Sequence, residues 1–222
     1  MAVGKLFEPS EICKTVHALK NDGDLFEIRC LEANGKKVSS GYFHDTETMV
    51  KQLCKLNPTE SNIYIVLNDI KQECYSREQR DYFVVNSKIQ TSDNDIVGYD
   101  WLFIDVDPRR PSGISSTEEQ LRYAKCIGNK IYSFMRNLGF NEPVSAMSGN
   151  GIHLLYRIQL RNNDENKALV KNCLAALDMY FSDEAVSIDK SNYNPARICK
   201  LYGTMARKGS NTPENPHRMS YL

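Results

Sequence analysis

Asp105 and Asp107 stand one residue apart at the end of Trp101-Leu102-Phe103-Ile104-Asp105-Val106-Asp107. An extended chain alternates faces, so both acids point to one side while Ile104 and Val106 point to the other. Two carboxylates withdrawn from water together repel each other and resist desolvation. They call for a cation, and hard oxygen donors at this spacing suit Mg²⁺ or Mn²⁺. The plainer reading is a strand end entering a turn, because Asp107-Pro108 is also a turn signal. Further reactive side chains follow in order. Ser148-Gly149-Asn150-Gly151 is a tight turn leading to His153, with glycines that permit positive φ or close backbone approach to a ligand. This turn precedes a strand, unlike a P-loop, which opens a helix. Asp189 closes the short apolar run Val186-Ser187-Ile188. Asn194-Pro195 reads as the cap and first-turn proline of a short helix, which would put Arg197 and Lys200 on one of its faces. Three carboxylates, an imidazole and two cations are what a two-metal phosphoryl-transfer site needs: acids for the metals, cations and imidazole for a triphosphate.

These residues need a scaffold. The chain has 222 residues, enough for one large or two small domains. Its 28 Lys and Arg balance 28 Asp and Glu, which excludes a broad non-specific nucleic-acid coat but leaves room for a local basic site. No apolar run approaches a membrane span and the N-terminus lacks a signal-peptide pattern, so a cytoplasmic protein is expected. The seven cysteines (13, 30, 54, 74, 126, 173 and 199) show no CxxC spacing, so no zinc site is expected and they read as reduced, packing thiols.

Periodicity supplies the elements. A helix from Ser10 to Leu19 leads to strands at Leu25–Leu31 and Lys37–Phe43, joined by the hairpin signal Asn34-Gly35. Thr46 caps a helix to Leu56, and Ile63–Leu67 is an apolar strand, giving a β-β-α-β unit. Residues 68 to 97 read as an irregular polar connection with a short strand at Tyr82–Val85. Past the acids, Arg109 and Arg110 sit in a proline-bounded loop, and Ser116 or Thr117 starts a long amphipathic helix that Gly139 stops. Val144–Met147 and Ile152–Leu160 are strands, with His153, Leu155 and Arg157 on one face of the second. Asn166–Phe181 is a second helix, with Leu169, Val170, Cys173, Leu174, Leu177 and Tyr180 in its stripe. Arg207 and Lys208 form a last basic pair.

The ordered set Phe103-Ile104-Asp105-Val106-Asp107, Ser148 to His153, Ile188-Asp189, Asn194-Pro195-Ala196-Arg197 and Gly203-Thr204 resembles the archaeo-eukaryotic primase (AEP) superfamily. The match is to its prim-pol branch from phages, plasmids and other mobile elements, some of it CRISPR-associated. The resemblance covers about residues 100 to 210, and its force lies in the order and spacing of the motifs. It implies an α+β fold: an AEP-type two-layer core with an RRM-like mixed sheet and flanking helices (residues 99–222), and an N-terminal α/β unit (1–98) packed on it. It implies a primase-polymerase that extends or synthesises strands on a DNA template and primer from dNTPs or NTPs, as in DNA replication. Asp105, Asp107 and Asp189 would hold two Mg²⁺ or Mn²⁺ ions, and Ser148, Gly149, His153, Arg197 and Lys200 the nucleotide. Arg109, Arg110, Arg207 and Lys208 are candidates for nucleic-acid or phosphate contact. Family members often continue into a helicase or helical accessory domain, so the chain fits a catalytic core excised from a longer protein. A two-metal nuclease or phosphatase, and a non-catalytic nucleic-acid-binding module, are the alternatives.

Overall fold

The computed structural model describes residues 6–32 and 37–222. In chain order these form α1 (Pro9–Leu19), β1 (Phe26–Glu32), β2 (Val38–Phe43), α2 (Thr46–Leu56), β3 (Ser61–Val66), β4 (Asp69–Ile70), β5 (Ile96–Pro108) and α3 (Glu118–Asn137). Then come β6 (Val144–Met147), β7 (Ile152–Arg161), α4 (Asp164–Phe181), β8 (Val186–Ile188), β9 (Ile198–Lys200), β10 (Met205–Ala206) and β11 (Arg218–Met219). The helix starts follow local chemistry. Thr117 and Gln120 form a reciprocal capping box on α3, and Asp45 accepts from Thr48 N at the start of α2.

Two sheets face each other. The first has the order β2-β1-β3-β9. The second runs β4-β5-β7-β6, with β8 pairing the far end of β5. The run β5-α3-β6-β7-α4-β8 is thus a split βαββαβ module with the spatial order β8-β5-β7-β6, the RRM-like arrangement. The fold is α+β and two-layered as expected, but each named ladder is antiparallel where a mixed sheet is expected. The split topology places oppositely running strands side by side. The two sheets exchange strands: β9, late in the chain, closes the edge of the first, and β4, early in the chain, pairs into the second.

The strand β5 explains the layering. Trp101 and Phe103 pack into a core with α1, β1, β3 and β9, while Leu102, Ile104 and Val106 pack against α3 and α4. Burying both faces of a strand needs apolar residues at every position. That pattern breaks at Asp105 and Asp107, on the side facing the first sheet.

Three expectations change. No helix follows Asn194-Pro195: Arg197 N closes a turn onto Asn194 O, and Ile198–Lys200 then pairs with Tyr64–Val66. The open edge of β3 takes these three residues as a strand, and tertiary pairing overrides the capping signal. Tyr82–Val85 makes only an isolated bridge, Ser40 to Val84. On α4, Val170, Leu174 and Leu177 are buried, but Leu169 and Tyr180 are exposed, so the apolar stripe is narrower than its composition suggests. The Asn34-Gly35 turn lies outside the described residues.

Candidate active site

The two sheets part at the acid end of β5 around a cavity of about 270 Å³. The second sheet contributes Phe103, Asp105, Asp107 and His153, and the first contributes Asn62, Tyr64, Cys199 and Lys200. Ser148, Asn150, Asp189, Asn192, Arg197, Arg110 and Lys208 also line it.

Asp105 and His153 are direct cross-strand partners, so their side chains share a face. His153 Nδ1 lies 2.7 Å from the Tyr202 hydroxyl, and Cys199 Sγ is 3.2 Å from the same hydroxyl. His153 Nε2 is 3.3 Å from Asp105 Oδ1, within ion-pair range. That contact lacks hydrogen-bond alignment, so Asp105 Oδ1 is buried without a hydrogen-bond partner among the described residues. Burial pushes the imidazole toward neutrality, but the Asp105 charge outweighs it and lifts the His153 pKa to about 10. Burial likewise opposes ionisation of Asp105, and His153 wins, leaving that carboxyl below its usual range. Asp107 has no such partner. Desolvation first, then Asp105, raise it to about 6, despite Arg110 Nη1 at 3.6 Å.

The remaining elements bring Asp189 and the cations to the same cavity. Asp189 N donates to Asp105 O at 3.0 Å, which hooks the end of β8 onto β5, and Ser191 N donates to Asp189 Oδ1 at 2.8 Å. Arg197 is partly buried, donates to Ser191 O, and has a buried Nε without a partner among the described residues. Lys200 is buried and donates to Met205 O at 2.9 Å; desolvation lowers it to about 7.

Ser148 and Asn150 of the glycine turn line the cavity, while its two glycines are required by packing. A Cβ on Gly151 would stand 2.6 Å from Asp107 Oδ1 and from Val106 O, and one on Gly149, at φ +107°, would stand 2.2 Å from Ala206 Cβ. Gly149 therefore admits β10 and does not line the cavity. Ser148 Oγ accepts from Gly151 N at 3.0 Å and closes the turn.

The four outer cations separate. Lys208 lines the cavity, and its carbonyl is pinned by Ser115 Oγ and Asn150 Nδ2. Arg110 lines it too, but donates to Pro108 O and Ile114 O with its side chain only 9% exposed, as a counter-ion to Asp107. Arg109 turns away and donates to Asp183 O, since β5 pairing carries its backbone to Ala185. Arg207 uses its backbone N on Asn62 Oδ1, and its side chain is not in the lining. Asn62, Tyr64, Asn150, Asn192, Cys199 and Tyr202 escape the sequence reading. Asn150 could have been found, since it sits inside the glycine turn; Tyr202 could not, because only folding brings it 49 residues back to His153.

Could these residues hold a metal ion? Among the described residues no three His, Cys, Asp or Glu are gathered into a ready-made ligand set. The donor chemistry nevertheless fits Mg²⁺ or Mn²⁺. Among the described residues the cavity holds a buried carboxylate oxygen without a hydrogen bond and an acid whose ionisation is resisted by burial and by its neighbour. Such ions bind through one or two carboxylates plus substrate phosphates and water rather than in an all-protein cage.

No protein-family model matches the sequence, and no curated protein does. Among solved structures, the chain is similar to the AEP domain of the cyanophage S-2L Primase-Polymerase (PrimPol). The TM-score is 0.53 at 15% identity, over 98% of this chain and 90% of that one. It is also similar to primase RepB′, with a TM-score of 0.51 at 12% identity, over 96% of this chain and 56% of that one, so it spans little more than half of RepB′. Among the described residues no helix is long and apolar enough to cross a membrane. At such low identity the likeness is one of fold, and the chain has the AEP-type prim-pol fold.

Proposed function

We propose that this chain is a nucleotidyltransferase of the primase-polymerase kind, joining nucleoside triphosphates to a strand held on a DNA template. The observation that carries the reading is the segregation of charge in one cavity. Asp105, Asp107 and Asp189 line it together with Arg197, Lys200 and Lys208. Acids alone would suit many metal hydrolases; acids beside a cluster of cations suit a metal-bound triphosphate.

Asp105, Asp107 and Asp189 would hold Mg²⁺ or Mn²⁺. Metal ions held by these carboxylates would make the primer hydroxyl more acidic and neutralise phosphate charge. Arg197 presents a fork suited to two phosphate oxygens, and Lys200 and Lys208 act as point charges. His153 takes a different part from the one its motif suggests. With Nδ1 on Tyr202 and Nε2 facing Asp105, its charge keeps Asp105 ionised. Primer and template would approach past Lys208, the exposed cation of the lining.

A primer-extension assay with labelled dNTPs and NTPs, with Mg²⁺ or Mn²⁺, tests this. Extension lost on changing Asp105 and Asp107 to Ala supports the reading. Shortening of the strands without extension would assign a nuclease instead, and tight DNA binding with neither outcome a binding module.

A further inference from the structure

Lys200 is placed to do more than carry charge. The residue is only 4% exposed, yet among the described residues Nζ makes a single hydrogen bond, to Met205 O at 2.9 Å. An ammonium has three donors, and burying the others unused is costly. No carboxylate lies within ion-pair range of Nζ among the described residues; the ring of Tyr64 stands 5.8 Å away. The titratable and charged groups around it are Cys30 on β1, Tyr64 on β3, Cys199 beside it on β9, and Arg207 after β10. Burial pushes the Cys30 thiol and the Tyr64 hydroxyl up to about 12, so neither supplies a negative charge to hold the proton in place. The side chain lines the cavity that also contains Asp105, Asp107 and Asp189. It is thus a buried, under-bonded proton donor on the wall opposite the carboxylates.

Resting on the nucleotidyltransferase reading, we propose that Lys200 is the general acid of the reaction, protonating the pyrophosphate leaving group. The 3′-oxygen forms the new bond to the α-phosphorus, and its proton passes to water. The bond from the α-phosphorus to the bridging oxygen breaks, and that oxygen takes the proton from Nζ. Neutral Lys200 then regains a proton from water. Desolvation, the largest influence, brings the amine to about 7, so it can release a proton near neutral pH; bound triphosphate holds the proton on until the leaving oxygen gains charge. Arg197, a partly buried cation of the lining, cannot serve, because a guanidinium does not give up its proton in this range.

The test uses the full chain, a primed template, and nucleotides whose β,γ-bridge is oxygen, methylene or difluoromethylene, the last giving the most acidic leaving group. Wild type should respond weakly to leaving-group acidity. Lys200→Arg keeps the charge but cannot donate, so it should lose about 10²-fold in kcat for the natural nucleotide. Its KM should change by no more than about threefold, and the deficit should narrow with the difluoromethylene nucleotide. A KM increase with unchanged kcat, or equal slowing with every leaving group, would overturn the assignment and leave Lys200 as a phosphate ligand. Should the Arg variant misfold by circular dichroism, the wild-type series decides: a steep dependence of kcat on leaving-group acidity means no proton is supplied. Wild type that extends no primer with any nucleotide refutes the underlying polymerase reading, a result distinct from an active wild type matched by its Arg variant.

Discussion

Changing Asp107 to Asn should make the cation-free protein more stable and weaken its stabilisation by Mg²⁺. Desolvation and the neighbouring Asp105 raise the Asp107 pKa from 3.8 to about 6. A rise of that size is worth about 3 kcal/mol at 1.36 kcal/mol per unit. The side chain is 31% exposed, so solvent screening reduces this to about 1–2 kcal/mol. Losing Arg110 at 3.6 Å acts in the opposite direction and is small for a contact of that length. Because the folded pKa lies above the unfolded one, the ionised carboxylate costs nothing below about pH 4. The cost grows as pH rises from 3.8 to about 6 and is constant beyond. The variant should therefore match wild type near pH 4 and exceed it at pH 7, by about 2–8 °C in Tm for a domain of this size. A divalent cation reverses the order. At a hundred times its Kd it adds about 2.7 kcal/mol to a protein that binds it, and the variant, missing one ligand, should gain far less. Thermal melts at both pH values, with and without MgCl₂, decide. A variant less stable than wild type at pH 7 without cation, or equally stabilised by Mg²⁺, would refute the reasoning.

His153→Gln should cost about 3–5 kcal/mol, the range for a buried ion pair left with one uncompensated partner. The raised pKa of His153 means its contribution is complete below pH 6.5 and lost as pH climbs to about 10, so urea melts at pH 6 and 9.5 should differ for wild type and agree for the variant. Arg197→Ala should weaken nucleotide use by roughly 2 kcal/mol, read as kcat/KM, while affinity for primed template without nucleotide stays within error; the reverse pattern would place Arg197 on the template. Gly151→Ala forces a methyl against Asp107 Oδ1 and Val106 O, so it should destabilise by about 1–3 kcal/mol and abolish extension; a stable, active variant would show that the turn can move off β5.

Local chemistry carried much of this protein. Alternation alone put Asp105 and Asp107 on one face, because a strand has a two-residue period whatever surrounds it. The capping box at Thr117 and the turn at Ser148 to Gly151 are likewise settled by residues within reach of one another. Other features depended on distant segments. Asn194-Pro195 carries a helix start, yet Ile198–Lys200 became a strand because β3, more than a hundred residues earlier, offered an unpaired edge. His153 is on the predicted face, but its neighbours come from two other elements: Tyr202 lies at its Nδ1 and Asp105 faces its Nε2 at ion-pair range. Arg109 and Arg110 are adjacent and alike in sequence, but pairing of β5 with the stretch around Ala185 turns one toward Asp183 and leaves the other beside Asp107. A side chain's type and its face follow from covalent geometry; its partner and its charge follow from which distant groups are buried beside it, and these only the packing of the two sheets decides.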